Sequence, residues 1–144
     1  MSQGFDQAIK EIEKAIWSEY SEELVGHAQE PKNIGKIEHP SGQGRVKGIC
    51  GDTIEISIKI KDDEVTDAKF LADGCGFSIA CGSMVTELVK GRSINEALRI
   101  SPAEIIDNLE GLPEDGFHCS ILACNTLHTA IANYLFLKGN VETR

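Results

Sequence analysis

The stretch Thr53-Ile54-Glu55-Ile56-Ser57-Ile58-Lys59-Ile60-Lys61 alternates isoleucine with polar residues without a break. Side chains on a β-strand point to opposite faces with a period of two, so a one-residue slip would turn every isoleucine into water. This segment has to be a half-buried strand, and it needs an apolar layer against one face. Asp62-Asp63-Glu64 supplies a polar turn. Val65 to Ala72 reads as the return strand, with Ala68, Phe70 and Ala72 on one side. A hairpin is the economical connection. A third strand is expected within Gly44 to Ile49. The section His39 to Gly48 holds Pro40, Gly42, Gly44 and Gly48, and is read as irregular or weakly stranded, and mobile.

Helices supply the covering layer. Gln3 to about Tyr20 places Phe5, Ile9, Ile12 and Ile16 at helical spacing, with Lys10, Glu11, Glu13 and Lys14 opposite. That stripe is expected to dock on the core, with 1–20 as an N-terminal helix that can move. After Gly74-Cys75-Gly76 the period turns helical: Ile79, Val85, Leu88 and Val89 mark a helix from about Ser78 to Val89, closed by Gly91. Ser93-Ile94-Asn95-Glu96 and Ser101-Pro102-Ala103-Glu104 are capping signatures that open two short helices. Gly111 to Gly116 is a loop, and a last helix runs from about Ser120 to Leu137. The expected fold is α+β: a small three-stranded antiparallel sheet, an N-terminal helix, and several C-terminal helices packed on the sheet.

Charge narrows the function. The 144 residues carry 23 acidic and 14 basic side chains, a formal net charge of −9. A nucleic-acid binder needs a basic footprint to displace counterions, and an anionic membrane surface would repel this chain. Neither nucleic acid nor membrane is an expected partner. The five cysteines are an odd number and cannot all pair within one chain. Met1 to Asp6 has neither a basic nor an apolar run, which points away from a secretory leader and to a reducing cytoplasm, where thiols stay free.

Three of those thiols fall at informative places. Cys50, in Cys50-Gly51-Asp52, lies at the entry to the alternating strand. Cys75, in Gly74-Cys75-Gly76, lies at the exit of the return strand. In an antiparallel hairpin those two points are neighbours. Asp52 is within reach of the same edge. His118-Cys119-Ser120 opens the last helix, where the dipole is expected to lower the Cys119 pKa and favour thiolate, with His118 an imidazole beside it. Cys50, Asp52, Cys75, His118 and Cys119 thus offer three sulfurs and two further donors, a set suited to tetrahedral iron or zinc. Cys81 shares an apolar helix face with Val85 and Leu88 and reads as buried packing. Cys124, just over a turn beyond Cys119, is either a neighbour of the site or a core position. His27, His39 and His128 read as surface or packing residues.

Tyr20-Ser21-Glu22, Glu30-Pro31-Lys32-Asn33, Cys50-Gly51-Asp52, Gly74-Cys75-Gly76, Glu87-Leu88-Val89-Lys90-Gly91 and His118-Cys119-Ser120-Ile121-Leu122 occur in this order. Together they resemble the IscU/NifU-type iron–sulfur cluster assembly scaffolds, from Tyr20 to about Tyr134. The resemblance implies one scaffold domain over 1–144, an assembly and transfer protein rather than a turnover enzyme. It places the scaffold cysteines on Cys50, Cys75 and Cys119, the cluster-labilising aspartate on Asp52 and the motif histidine on His118. It implies transient assembly of a [2Fe-2S] cluster from iron and from sulfur delivered as persulfide, with Cys119 the persulfide acceptor. The implied partners are a cysteine desulfurase, a ferredoxin-type electron donor, a frataxin-like regulator and recipient apo-proteins. The Leu-Pro-Pro-Val-Lys segment that an Hsp70 chaperone reads in some members is replaced here by Leu112-Pro113-Glu114-Asp115-Gly116. The fourth ligand is left among Asp52, His118 and a partner's cysteine. Two rival readings use the same residues: a Zn²⁺ protein, and a persulfide acceptor whose metal only orders the site.

Overall fold

The computed structural model of the chain describes residues 2–142. Helices α1 (Ser2–Trp17) and α2 (Glu22–Gln29) precede strands β1 (Gly42–Lys47), β2 (Thr53–Lys61) and β3 (Glu64–Asp73). Helices α3 (Gly76–Val89), α4 (Ile94–Leu98) and α5 (Pro102–Asn108) follow. A 3₁₀ turn at Glu114–Gly116 then leads into the long α6 (Phe117–Glu142). The strands form an antiparallel sheet in the order β1-β2-β3. The architecture is the mixed α+β arrangement that the sequence implies.

The isoleucine alternation sets the register. Ile54 lies opposite Ala72, Ile56 opposite Phe70 and Ile58 opposite Ala68, and all three isoleucines are fully buried. Burying each of them is worth about 1.5–3 kcal/mol relative to leaving it exposed, which makes a slipped register costly. The hairpin closes through Asp62 and Asp63, both with positive φ (54° and 60°). Two consecutive left-handed residues form the tight turn whose twist matches the strands, and short polar side chains tolerate that conformation best. Helix α3 packs across β3 and α6 across β1 and β2, so one face of the sheet is covered and the core lies between.

Two expectations change. The glycine-rich stretch before Cys50, expected to be irregular or only weakly stranded, is a regular strand. A Cβ on Gly42 would lie 2.4 Å from the Ala130 carbonyl oxygen, and one on Gly44 would lie 2.8 Å from the Ala130 nitrogen. These glycines exist because α6 passes directly over β1, where no side chain fits. Secondly, the apolar stripe of α1 does not dock on the core. Phe5 is 69% exposed and Ile12 60% exposed, and Ile9 and Ile16 also face solvent. The helix is attached at its end instead. The Trp17 and Tyr20 rings meet edge to face at 5.5 Å, and Tyr20 meets Phe77 of α3 at 5.8 Å.

Gly44→Ala is expected to cost about 1–3 kcal/mol, because the added methyl displaces the α6 backbone. Gly4→Ala, where nothing lies within 4 Å of the new methyl, is expected to leave stability unchanged or slightly raised. Chemical denaturation of the two variants and the parent checks this. Equal midpoints for the parent and Gly44→Ala would contradict the packing account.

Candidate metal centre

Thr53 pairs with Asp73, so the segments just before β2 and just after β3 leave the sheet side by side. The first is a tight turn from Gly48 to Asp52. The Gly48 amide donates to the Asp52 carbonyl at 2.7 Å, and the Gly51 amide donates to the Gly48 carbonyl at 3.0 Å. Gly51 has φ +94°, a conformation that favours glycine. Cys50 sits exposed on this turn. The second segment, Gly74-Cys75, leads into α3. A Cβ on Gly74 would lie 2.5 Å from the Asp52 carboxyl carbon, so only glycine lets the carboxylate come so close. Cys75 is the N-cap of α3, with no capping bond from its own side chain. Asp52 takes over that work: its Oδ2 accepts from the Cys75 amide at 3.3 Å and from the Ser78 hydroxyl. An anion at the exposed N–H end of a helix is favoured by the helix dipole.

The third stretch arrives from α6. That helix begins at Phe117, three residues before the expected start, so His118 and Cys119 lie inside its first turn. Cys119 Sγ is 3.9 Å from Cys75 Sγ and 3.5 Å from Ser78 Oγ. His118 Nε2 is 3.5 Å from the Cys119 sulfur. One donor atom from each of Asp52, Cys75 and Cys119 lies within 4.8 Å of the other two. Of the five expected ligands, these three converge directly. The other two stand beside them, Cys50 exposed on the turn that precedes Asp52 and the His118 ring next to Cys119.

The spacing suits a metal. Two sulfurs bound at about 2.3 Å to one tetrahedral ion stand about 3.8 Å apart, close to the 3.9 Å between Cys75 and Cys119. Two thiols and a carboxylate fit zinc or iron in kind as well as in spacing. A groove of about 680 Å³ between α1 and α2, lined in part by Lys14, Trp17, Tyr20 and Val25, holds none of these donors.

Electrostatics corrects one sequence inference. Burial pushes the Cys119 thiol up to about 12; the nearby Ser78 hydroxyl opposes this and the neighbouring Cys75 adds to it. Desolvation therefore outweighs the helix dipole, and Cys119 rests as a thiol rather than a thiolate. Asp52 moves the other way. The Ser78 hydrogen bond, helped by the Cys75 amide and thiol and the Cys50 thiol, holds its carboxyl below the ordinary value against partial burial. The site thus pairs a carboxylate that ionises readily with a buried thiol that holds its proton.

The remaining cysteines lie elsewhere. Cys81 is fully buried in the core, as expected. Cys124 donates to the Ile100 carbonyl at 3.1 Å and lies 3.8 Å from His128 Nε2, so it takes the core position and not the site. His27 is buried against Ser83, with 2.6 Å between Nδ1 and Oγ, and burial lowers its pKa; His39 is exposed. Ser78 was not anticipated. A serine three residues beyond a cysteine at a helix start is the one signal that placed it on the same face.

The family model described as "NifU-like N terminal domain" matches residues 19–140. The iron-sulfur cluster assembly scaffold protein IscU 1 of Archaeoglobus fulgidus is 43% identical over 124 residues, covering 85% of this chain and 81% of that protein. The iron-sulfur cluster assembly scaffold protein IscU of Escherichia coli K12 is 42% identical over 120 residues, covering 80% and 93% respectively. The same fold occurs in the crystal structure of a putative SUF-system scaffold, FiSufU, from Fervidobacterium islandicum AW-1. The TM-score is 0.66 at 23% identity, over 80% of this chain and 98% of that one.

Under native conditions near pH 8, iodoacetamide is expected to label Cys50 and Cys75 well before Cys119. Cys119 is fully buried and burial pushes its thiol pKa up, whereas Cys50 and Cys75 are exposed. Peptide mass spectrometry of a labelling time course reads the order. Cys119 labelled as fast as Cys50 would contradict the buried-thiol assignment.

Proposed function

This chain belongs to the NifU-like N-terminal domain family, is similar over most of its length to iron–sulfur cluster assembly scaffolds, and on that premise we propose that it builds a [2Fe-2S] cluster at the edge where Cys50, Asp52, Cys75, His118 and Cys119 gather. The observation that carries this reading is the 3.9 Å between the sulfurs of Cys75 and Cys119, with the Asp52 carboxylate beside them. The cluster is cargo: the protein holds it, then gives it up to recipient apo-proteins. No helix among the described residues is long and apolar enough to cross a membrane.

The donor set suits transient holding. A permanent iron–sulfur site is closed by four thiolates. Here two converging sulfurs share the place with a harder carboxylate, which soft iron–sulfide units bind less firmly. Cys50, on the exposed turn between Gly48 and Asp52, supplies the third sulfur. The fourth ligand comes from Asp52 or His118, or from a partner's cysteine during transfer.

Sulfur arrives as persulfide from a cysteine desulfurase. Cys119 loses its proton to the adjacent His118 ring or to solvent, and its sulfur attacks the outer sulfur of the donor's persulfide. The new S–S bond forms on Cys119 while the donor's S–S bond breaks, and the donor cysteine leaves as thiolate. Releasing that sulfur as sulfide takes two electrons, which a ferredoxin-type protein supplies. A frataxin-like regulator fits on the iron side of the same sequence. The chain's part is assembly and handover, with no turnover chemistry of its own.

Zinc is the second reading, favoured by the same sulfur spacing. Anaerobic incubation with iron, a cysteine desulfurase and cysteine distinguishes the two. The scaffold reading expects a red-brown protein with visible absorption that fades on transfer to an apo-ferredoxin. Colourless protein that keeps one zinc and accepts no cluster would overturn it. Asp52→Ala is expected to hold its cluster several-fold longer than the parent, because the weak ligand that eases release is gone. Visible absorption followed in air reads the lifetime, and decay as fast as the parent's or faster would contradict the role given to Asp52.

A further inference from the structure

Ser78 is the third residue of α3 and is fully buried. A serine hydroxyl has one proton to donate and two lone pairs to accept with. At this position it commonly serves the helix backbone. Here its bonds go elsewhere: it donates to Asp52 Oδ2, and its oxygen lies 3.6 Å from Cys75 Sγ and 3.5 Å from Cys119 Sγ. Its donor is spent on the carboxylate and its two lone pairs face the two thiols. All three of its partners are candidate ligands, one from each converging stretch of chain. No other hydroxyl is described as touching all three.

We propose that Ser78 is a positioning residue for the metal cargo: its hydroxyl fixes the direction of the Asp52 carboxylate against Cys75 and Cys119, and so sets how firmly that carboxylate binds. The inference rests on the ligand set of the preceding section, though not on which metal that set carries. Asp52 lies on the turn that carries the exposed Cys50 and packs against Gly74. Its Oδ2 is tied at two points, by Ser78 and by the Cys75 amide, and this sets where its other oxygen points. Removing the hydroxyl leaves one tie, and the carboxylate gains freedom it must lose again on binding. Partners that orient a ligand in this way typically matter by about 10–100-fold in metal affinity. Ser78 thereby acts through Asp52 and has no separate effect once Asp52 is removed.

Zinc alone is a sufficient probe, read by competition with a chromophoric chelator on the parent, Ser78→Ala, Asp52→Ala and the double variant. Ser78→Ala is expected to weaken zinc about 10-fold. In the Asp52→Ala background the same change is expected to alter affinity by less than about twofold, since the two groups act as one unit. Cluster lifetime is expected to shift in the same direction as for Asp52→Ala and by less. Unchanged zinc affinity in Ser78→Ala, or an equal loss in both backgrounds, would overturn the proposal. Should Ser78→Ala melt below the titration temperature, Ser78→Thr against Ser78→Val gives the same comparison, being alike in shape and differing in the hydroxyl. Thr is then expected to bind at least several-fold tighter than Val, and equal affinities would overturn the proposal. A parent that binds zinc but builds no cluster would defeat the scaffold reading and leave this comparison standing.

Discussion

The pairing of Thr53 with Asp73 at the open end of the β2–β3 hairpin is the constraint on which the site depends. It is enforced from a distance by Ile54, Ile56 and Ile58, whose burial admits only one register. Because the register is fixed, Asp52 and Gly74 are held side by side, and the missing Cβ of Gly74 leaves room for the carboxylate. Asp52 then caps α3 through the Cys75 amide and binds Ser78. The middle of α6 lies over the glycines of β1, touching them through Thr126, Ala130 and Tyr134, and its first turn brings Cys119 to the same point. A hydrophobic pattern thus positions polar atoms several residues beyond its own ends.

The site is composed of unlike parts. Cys50 is open to solvent on a turn, Cys75 is exposed at a helix start, and Cys119 is buried with its proton held tightly. Such a set is poor for permanent storage, where uniform thiolates close every position. It suits a centre that must fill in steps and empty again. On the proposed reading, the accessible sulfur and the carboxylate would receive the incoming ion, and the protected sulfur would complete the grip once its proton leaves. The same protection keeps Cys119 from reacting with any passing oxidant, since thiolate character and access govern such reactions.

Much of this was legible in the sequence. Period-two isoleucines announced β2, and the hairpin geometry implied that the Cys50 and Cys75 stretches meet. Other features depend on tertiary placement. Gly42 and Gly44 read as loosening the chain, whereas they admit α6; a glycine alone does not say whether it frees a backbone or makes room for another. The α1 stripe had the pattern of a core-facing helix, but amphipathicity gives no partner, and here its isoleucines face solvent while Trp17 packs on Tyr20. The acidity assigned to Cys119 followed from its place at a helix start, while its burial, which decides the matter, comes from packing that no local pattern records. Ser78 escaped notice because serine is common near helix starts, and its role lies in which atoms surround it.

The central claim is that three distant segments join to hold one iron–sulfur unit. Mössbauer spectroscopy of ⁵⁷Fe-reconstituted protein tests it most directly, comparing the parent with a variant carrying Ser in place of both Cys75 and Cys119. The account expects the diamagnetic signature of a paired diferric centre in the parent and its loss in the variant. Paramagnetic, mononuclear iron alone in the parent, or the same paired signature in both proteins, would contradict it.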